Sequence, residues 1–116
     1  MGLFNKKGKD SVASATSKLK VSMTNSGTEY TFNVEGRLDT LTSPELDAKV
    51  NEVVADASKL VFDFKKLEYI SSAGLRVLLG AAQAMEGKGE MLVCHPTEAV
   101  REIFDLTGFA DLFTIV

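Results

Sequence analysis

Two adjacent serines, Ser71 and Ser72, carry the hydroxyls of this chain that are best placed to do chemistry. They stand within Tyr69-Ile70-Ser71-Ser72-Ala73-Gly74, directly before a stretch in which Leu75, Leu78, Leu79, Ala82 and Met85 recur at helical spacing. That spacing predicts an amphipathic helix with the serines at its start. A helix N-terminus has unpaired backbone N–H groups and the positive end of the peptide macrodipole, so it favours negative charge. A hydroxyl there can cap the helix, attack a substrate, or accept a phosphate.

A nucleophilic serine needs a base within hydrogen-bond reach and an oxyanion hole. The Gly-x-Ser-x-Gly elbow is absent, since Tyr69-Ile70 precedes the serines, and the single histidine, His95, reads as a loop residue. No phosphate-cradling glycine motif is present; Gly87-Lys88-Gly89 reads as a helix stop. One histidine and one cysteine are too few for a zinc site, and neither metal nor cofactor is expected. Cys94 falls in an apolar run and reads as core.

A phosphate on serine adds about −1.5 to −2 charge and three acceptor oxygens. Held at a helix N-terminus, it would leave the fold intact and act at an interface. Breaking an interfacial charge arrangement costs roughly 2–5 kcal/mol, on the order of 30- to 5,000-fold in affinity. A plain N-cap contributes about 1 kcal/mol and needs no modification. From the residues alone, cap and phosphoacceptor stand level.

The elements that position these serines read as β-β-α-β-α-β-α-β. Leu19, Val21 and Met23 alternate with polar residues, Asn25-Ser26-Gly27 turns, and Tyr30, Phe32 and Val34 return as a hairpin. Gly36-Arg37-Leu38-Asp39 leaves that strand. Thr42-Ser43-Pro44-Glu45 opens a helix, with Ser43 as N-cap, Pro44 at the first helical position, and Leu46, Val50, Val53, Val54 and Ala57 as its buried stripe. Lys59 to Phe64 is a strand whose near-continuous apolar character predicts cover on both faces, followed by a short charged loop. After the serine-led helix come a strand at Met91 to Cys94 and a helix from Pro96-Thr97 carrying Val100, Ile103, Phe104 and Leu106. Gly108 is its C′ glycine, with Phe109 folding back on Phe104, and Leu112 to Val116 is a last short strand. The expected fold is α/β: one domain with a mixed central sheet, an N-terminal hairpin and three right-handed crossovers. Loops at the strand ends, Arg37–Leu41, the one before Ser71, and His95-Pro96-Thr97, are expected to share one surface.

At 116 residues, 45% hydrophobic and 25% charged, the chain is one globular domain. A lone cysteine predicts a reducing compartment, and no run reaches the roughly 20 apolar residues of a membrane span. Residues 1–20 hold five lysines against one aspartate, a net of +4; the other 96 residues hold 8 basic and 15 acidic groups, a net of −7. Direct nucleic-acid binding by such a body is not expected. Residues 1–17, rich in Lys, Ser, Gly and Ala, read as a flexible basic tail, with the folded domain over 18–116.

Ile70-Ser71-Ser72-Ala73-Gly74-Leu75-Arg76-Val77-Leu78-Leu79 resembles the signature of the STAS domains shared by anti-sigma factor antagonists and sulfate transporters. Gly36-Arg37-Leu38-Asp39, Gly89-Glu90-Met91-Leu92-Val93 and Phe104-Asp105-Leu106-Thr107-Gly108 are similar to further segments of the antagonist branch. The resemblance implies a cytoplasmic, bacterial, non-enzymatic regulator. In its unphosphorylated state such a protein binds an anti-sigma factor that is itself a serine kinase. Phosphorylation by that kinase releases it, and a PP2C-type phosphatase resets it. By its distance from the glycine, the family acceptor corresponds to Ser72. The Asp-Ser-Ser-Gly of the family's sporulation-type members is here Ser71-Ser72-Ala73-Gly74, which leaves Ser71 as a second candidate. Partner contacts are expected at Asp39, Thr40, Leu41, Ser71, Ser72, Gly74 and Arg76. The same motif occurs in constitutive interaction modules of transporter-associated or signalling assemblies, which is the alternative reading.

Overall fold

A computed structural model of the chain describes residues 19–116; the basic tail expected over residues 1–17 lies outside them. Alternating side chains make the hairpin β1 (Leu19–Ser26) and β2 (Glu29–Leu38), with Gly27 at φ 61° in the turn. Then follow α1 (Ser43–Val53), β3 (Lys59–Ile70), α2 (Ser72–Met85), β4 (Glu90–Cys94), α3 (Glu98–Thr107), a 3₁₀ turn (Phe109–Asp111) and β5 (Thr114–Ile115). The sheet order is β1-β2-β3-β4-β5, antiparallel between β1 and β2 and parallel thereafter. This is the expected mixed α/β arrangement.

All three crossovers step the same way across the sheet, so right-handed connections carry their helices to one face. Burial agrees. Phe32, Val34, Leu60, Phe62, Phe64, Met91 and Val93 on that face are buried, whereas Thr31, Asn33, Val61, Asp63, Leu92 and Cys94, pointing the other way, are only partly so. The expectation that β3 is covered on both sides is therefore wrong. A continuous apolar run does not by itself distinguish a doubly covered strand from one whose open face carries β-branched residues.

The core is built on Phe32 and Phe62, stacked at 5.4 Å between ring centroids. Onto them pack Leu46 and Val50 from α1, Leu75, Leu78, Ala81 and Met85 from α2, and Val100 and Phe104 from α3. Leu106, expected in the α3 stripe, is 79% exposed, because its angular position lies off the Val100–Ile103–Phe104 face. Gly108 closes α3 at φ 79°, as expected of a C′ glycine. The aromatic closure runs through Phe113, 5.8 Å from Phe104 and 6.2 Å from Phe109.

Strands β2 and β3 run further than expected. Residues 65–70 form no loop: they continue β3, paired with β2 across two register shifts until Leu38 lies beside Ile70. Side chains at 64, 67 and 70 then point inward, a spacing of three produced by the bulges. Because β4 ends where Cys94 pairs with Asp63, β3 projects seven residues beyond it, about 20 Å of strand.

The one-sided sheet separates neighbouring residues. Phe62→Ala should cost about 3–5 kcal/mol in urea unfolding. Val61→Thr, on the open face next to it, should stay within roughly 0.5 kcal/mol of wild type.

Candidate functional site

The serine segment is fastened to the sheet through its backbone. Ser71 N–H donates to Leu38 O at 2.9 Å, continuing the β2–β3 pairing by one step, and Leu75 N–H to Ser71 O, also 2.9 Å, opens α2. Ser71, in extended conformation, is the N-cap: its Oγ accepts from Gly74 N–H at 3.4 Å. Ser72 is the first helical residue, exposed, and its hydroxyl has no hydrogen-bond partner among the described residues. The amides of Ser72 and Ala73 precede the first intrahelical bond and have no acceptor within the helix. No acidic residue lies in this first turn, unlike α1 with Glu45 and α3 with Glu98, and exposed Arg76 follows four residues after Ser72.

Gly74 allows this close start. A Cβ there would lie 2.7 Å from Ile70 Cγ1 and 2.9 Å from Leu38 Cγ, both fully packed side chains. The first turn of α2 thus rests directly on the ends of β2 and β3.

The loop after β2 stands beside it. Asp39 Oδ1 accepts from Leu41 N–H at 3.0 Å and Thr42 N–H at 3.1 Å, and Thr42 Oγ1 lies 3.1 Å away. That hydroxyl also donates to Arg37 O at 2.8 Å and accepts from Asp39 N–H at 2.9 Å. Burial raises the Asp39 pKa, but the Thr42 amide, the Thr42 hydroxyl, the Leu41 amide and Arg37 together outweigh it and hold the carboxyl below its usual range. Arg37 lies 4.0 Å from the carboxylate and stacks 4.4 Å over the Tyr69 ring. Asp39 therefore braces the entry to α1 in place of the expected Ser43 cap; Thr42 is the N-cap residue, and Ser43 lies inside the helix, buried, its Oγ without a hydrogen-bond partner among the described residues.

Between α1 and α2 runs a notch of about 260 Å³, lined by Thr40, Ser43, Pro44, Asp47, Ala73, Arg76 and Val77. On its rim Leu41 is 88% exposed. A rigid ledge with an apolar knob, a free hydroxyl and an arginine is suited to docking a macromolecule. A recess of about 800 Å³ along Lys65–Glu68 of β3 does not include the serines.

His95 does not join the serines. It follows the end of β4, about 20 Å of strand short of Ser72 by register, so no proton relay links them. The third loop of the expected shared surface instead flanks β3 lower down, where Thr97 Oγ1 donates to Leu67 O at 2.9 Å. Cys94 is half-buried on the open sheet face; burial and then the Asp63 carboxylate raise its thiol pKa, which disfavours a reactive thiolate. No group of three or more metal-ligating side chains occurs, and no helix is long and apolar enough to cross a membrane, among the described residues. Sequence reasoning missed Thr42, Tyr69, Pro44, Asp47 and Val77, which enter the site only through register and helix packing.

A family model for the STAS domain matches residues 20–116. BtrV of Bordetella bronchiseptica, assigned as an anti-sigma factor antagonist, is 36% identical over 84 residues, covering 71% of this chain and 72% of its own. The crystal structure of an anti-sigma factor antagonist from Mycobacterium paratuberculosis superposes with a TM-score of 0.80 at 26% identity, covering 89% of both chains. The antagonist SpoIIAA in its unphosphorylated form gives 0.72 at 19% identity, covering 85% of this chain and 88% of its own, a likeness of fold.

Two outcomes test the site. Gly74→Ala should destabilise the domain by about 1–3 kcal/mol in urea unfolding, since the new methyl has no room. For Asp39 the folded pKa is depressed, so its contribution is complete above the unfolded value near 3.9 and lost as pH falls through the folded one. Wild type should exceed Asp39→Asn in stability at pH 7, and urea titrations at pH 3 should find that gap narrowed.

Proposed function

The chain belongs to the STAS domain family, in its anti-sigma factor antagonist branch, and we propose that it is a phosphorylation-gated docking protein with Ser72 as the acceptor. Unphosphorylated, it binds an anti-sigma factor that is also a serine kinase, through the Ser72 end of α2, Arg76 and the Asp39–Leu41 loop, and so frees a sigma factor for transcription. Phosphorylation of Ser72 by that kinase releases the complex, and a PP2C-type phosphatase restores it. The cycle is assigned to the bacterial cytoplasm.

The observation that carries this reading is the unequal employment of the two serines. Ser71 is spent on capping α2, whereas Ser72 is exposed and unbonded among the described residues. A phosphate on Ser72 would meet unpaired amides, the helix dipole and Arg76 at i+4, a setting that accommodates negative charge without refolding. The added dianion would then be felt by whatever docks on the ledge. SpoIIAA, which has this fold, has been solved in a phosphorylated as well as an unphosphorylated form.

With a purified anti-sigma kinase that binds the wild-type chain, calorimetry should find Ser72→Asp weakened by about 30-fold or more relative to wild type. Ser72→Ala should bind as wild type does yet take up no phosphate by mass spectrometry. Ser71→Ala should lose about 1 kcal/mol of stability and still be phosphorylated. Equal affinity of wild type and Ser72→Asp would reject the proposal.

A further inference from the structure

Strand β1 is an eight-residue outer strand, paired with β2 in unbroken register from Leu19 opposite Gly36 to Ser26 opposite Glu29. Its other side has no strand partner among the described residues. Exposed edges in proteins are ordinarily blunted by proline, bulges, charge or brevity. The far edge, β5, is two residues long. β1 has no proline and no bulge, and Lys20 is its single charged residue.

A second feature of the same strand points the same way. Leu19, Val21 and Met23 share the helix-side face, where the cross-strand partners of Val21 and Met23, Val34 and Phe32, are buried. The helix layer does not reach over β1 fully, and Met23 is left 42% exposed while Phe32 beside it is 0% exposed. Met23 thus lies uncovered along an edge without a strand partner among the described residues, with Leu19 and Val21 half-buried against the core beside it.

We infer that β1 is a homodimerisation edge: a second copy of this chain pairs with it antiparallel, about a two-fold axis at Ser22. The pattern around Ser22 is self-complementary. Val21 falls opposite Met23 of the other copy, twice, on the helix-side face, and Lys20 falls opposite Thr24, so no like charges meet. Register shifted by one residue toward the N-terminus would put Val21 on the axis and Lys20 opposite Ser22, and shifted by two would set Lys20 against itself. Pairing at Ser22 joins two sheets into one with both helix layers on the same side. Because the two-fold reverses strand direction, the Ser72 ledges face opposite ends of the dimer and both remain accessible. The inference does not depend on phosphorylation.

Sedimentation equilibrium of the full chain from micromolar to millimolar concentration tests it. A reversible monomer–dimer equilibrium is expected, weakened by about tenfold or more in Met23→Lys, whose already exposed position leaves the fold unchanged by circular dichroism. In a Cys94→Ala background, Ser22→Cys should be joined into dimers by a short bifunctional thiol reagent, since directly opposite Cβ atoms lie about 4.5–5.5 Å apart. A monomer at every concentration overturns the inference, as does a dimer indifferent to Met23→Lys. A monomer whose outward β1 amides resist hydrogen exchange also overturns it and assigns the edge to the chain's own N-terminal segment.

Discussion

The close seating of α2 on the ends of β2 and β3 is the constraint on which the rest of this molecule depends. Its two parts are the Ser71 N–H to Leu38 O hydrogen bond and the missing side chain at Gly74. Together they make the start of α2 an extension of the sheet, with no intervening loop. The consequence is precision: a hydroxyl at the first position of such a helix has its height and direction set by strand pairing and by the packed side chains of Leu38 and Ile70. The Asp39 loop, leaving the strand that holds Leu38, is placed by the same joint. The proposed docking surface, assembled from two segments distant in sequence, thereby acquires one fixed geometry, which would lower the ordering cost of binding.

The one-sided sheet follows from strand order. Strands added in one direction by right-handed crossovers cannot send helices to both faces; that requires a reversal of direction, which this chain does not make. The core therefore lies between a sheet and a single helix layer, and nearly all buried aromatic rings belong to it. The same economy leaves the opposite face and the β1 edge short of cover. Where a doubly wound protein would hide such surfaces, the described residues of this one leave them open.

Local patterning made most of this legible from sequence. The hairpin, the serine-led helix, Gly108 as a helix stop and the order of elements all express periodicities of two or 3.6 and side-chain rules that act within a few residues. What escaped was set by distant partners. Lys65-Lys66-Leu67-Glu68 reads as a charged loop because bulges change the inward spacing from two to three, and those bulges are defined only against β2. Thr42-Ser43-Pro44 offers two adjacent hydroxyls, and no local rule selects between them when the bracing acceptor is the Asp39 carboxylate, reaching forward through a turn. Tyr69 meets Arg37 through that same shifted register. His95 neighbours the serines only if the strand ends are level, whereas β3 outruns β4 by seven residues.

Why two serines should stand side by side has an energetic answer. A single hydroxyl serving as both cap and phosphate acceptor would couple signalling to folding. Modifying Ser71 would remove an N-cap contribution of about 1 kcal/mol and set a dianion at a half-buried position. The exposed hydroxyl one residue later makes no intramolecular hydrogen bond among the described residues, so charging it removes no native contact, and the unpaired amides and dipole lie within reach. In a domain whose total stability is on the order of 5–15 kcal/mol, that separation matters. It lets the proposed modification change what the surface binds while the helix, the sheet joint and the Asp39 brace stay as they are. Adjacent residues of the same type thus have different tasks, one holding the structure and the other available to report on it.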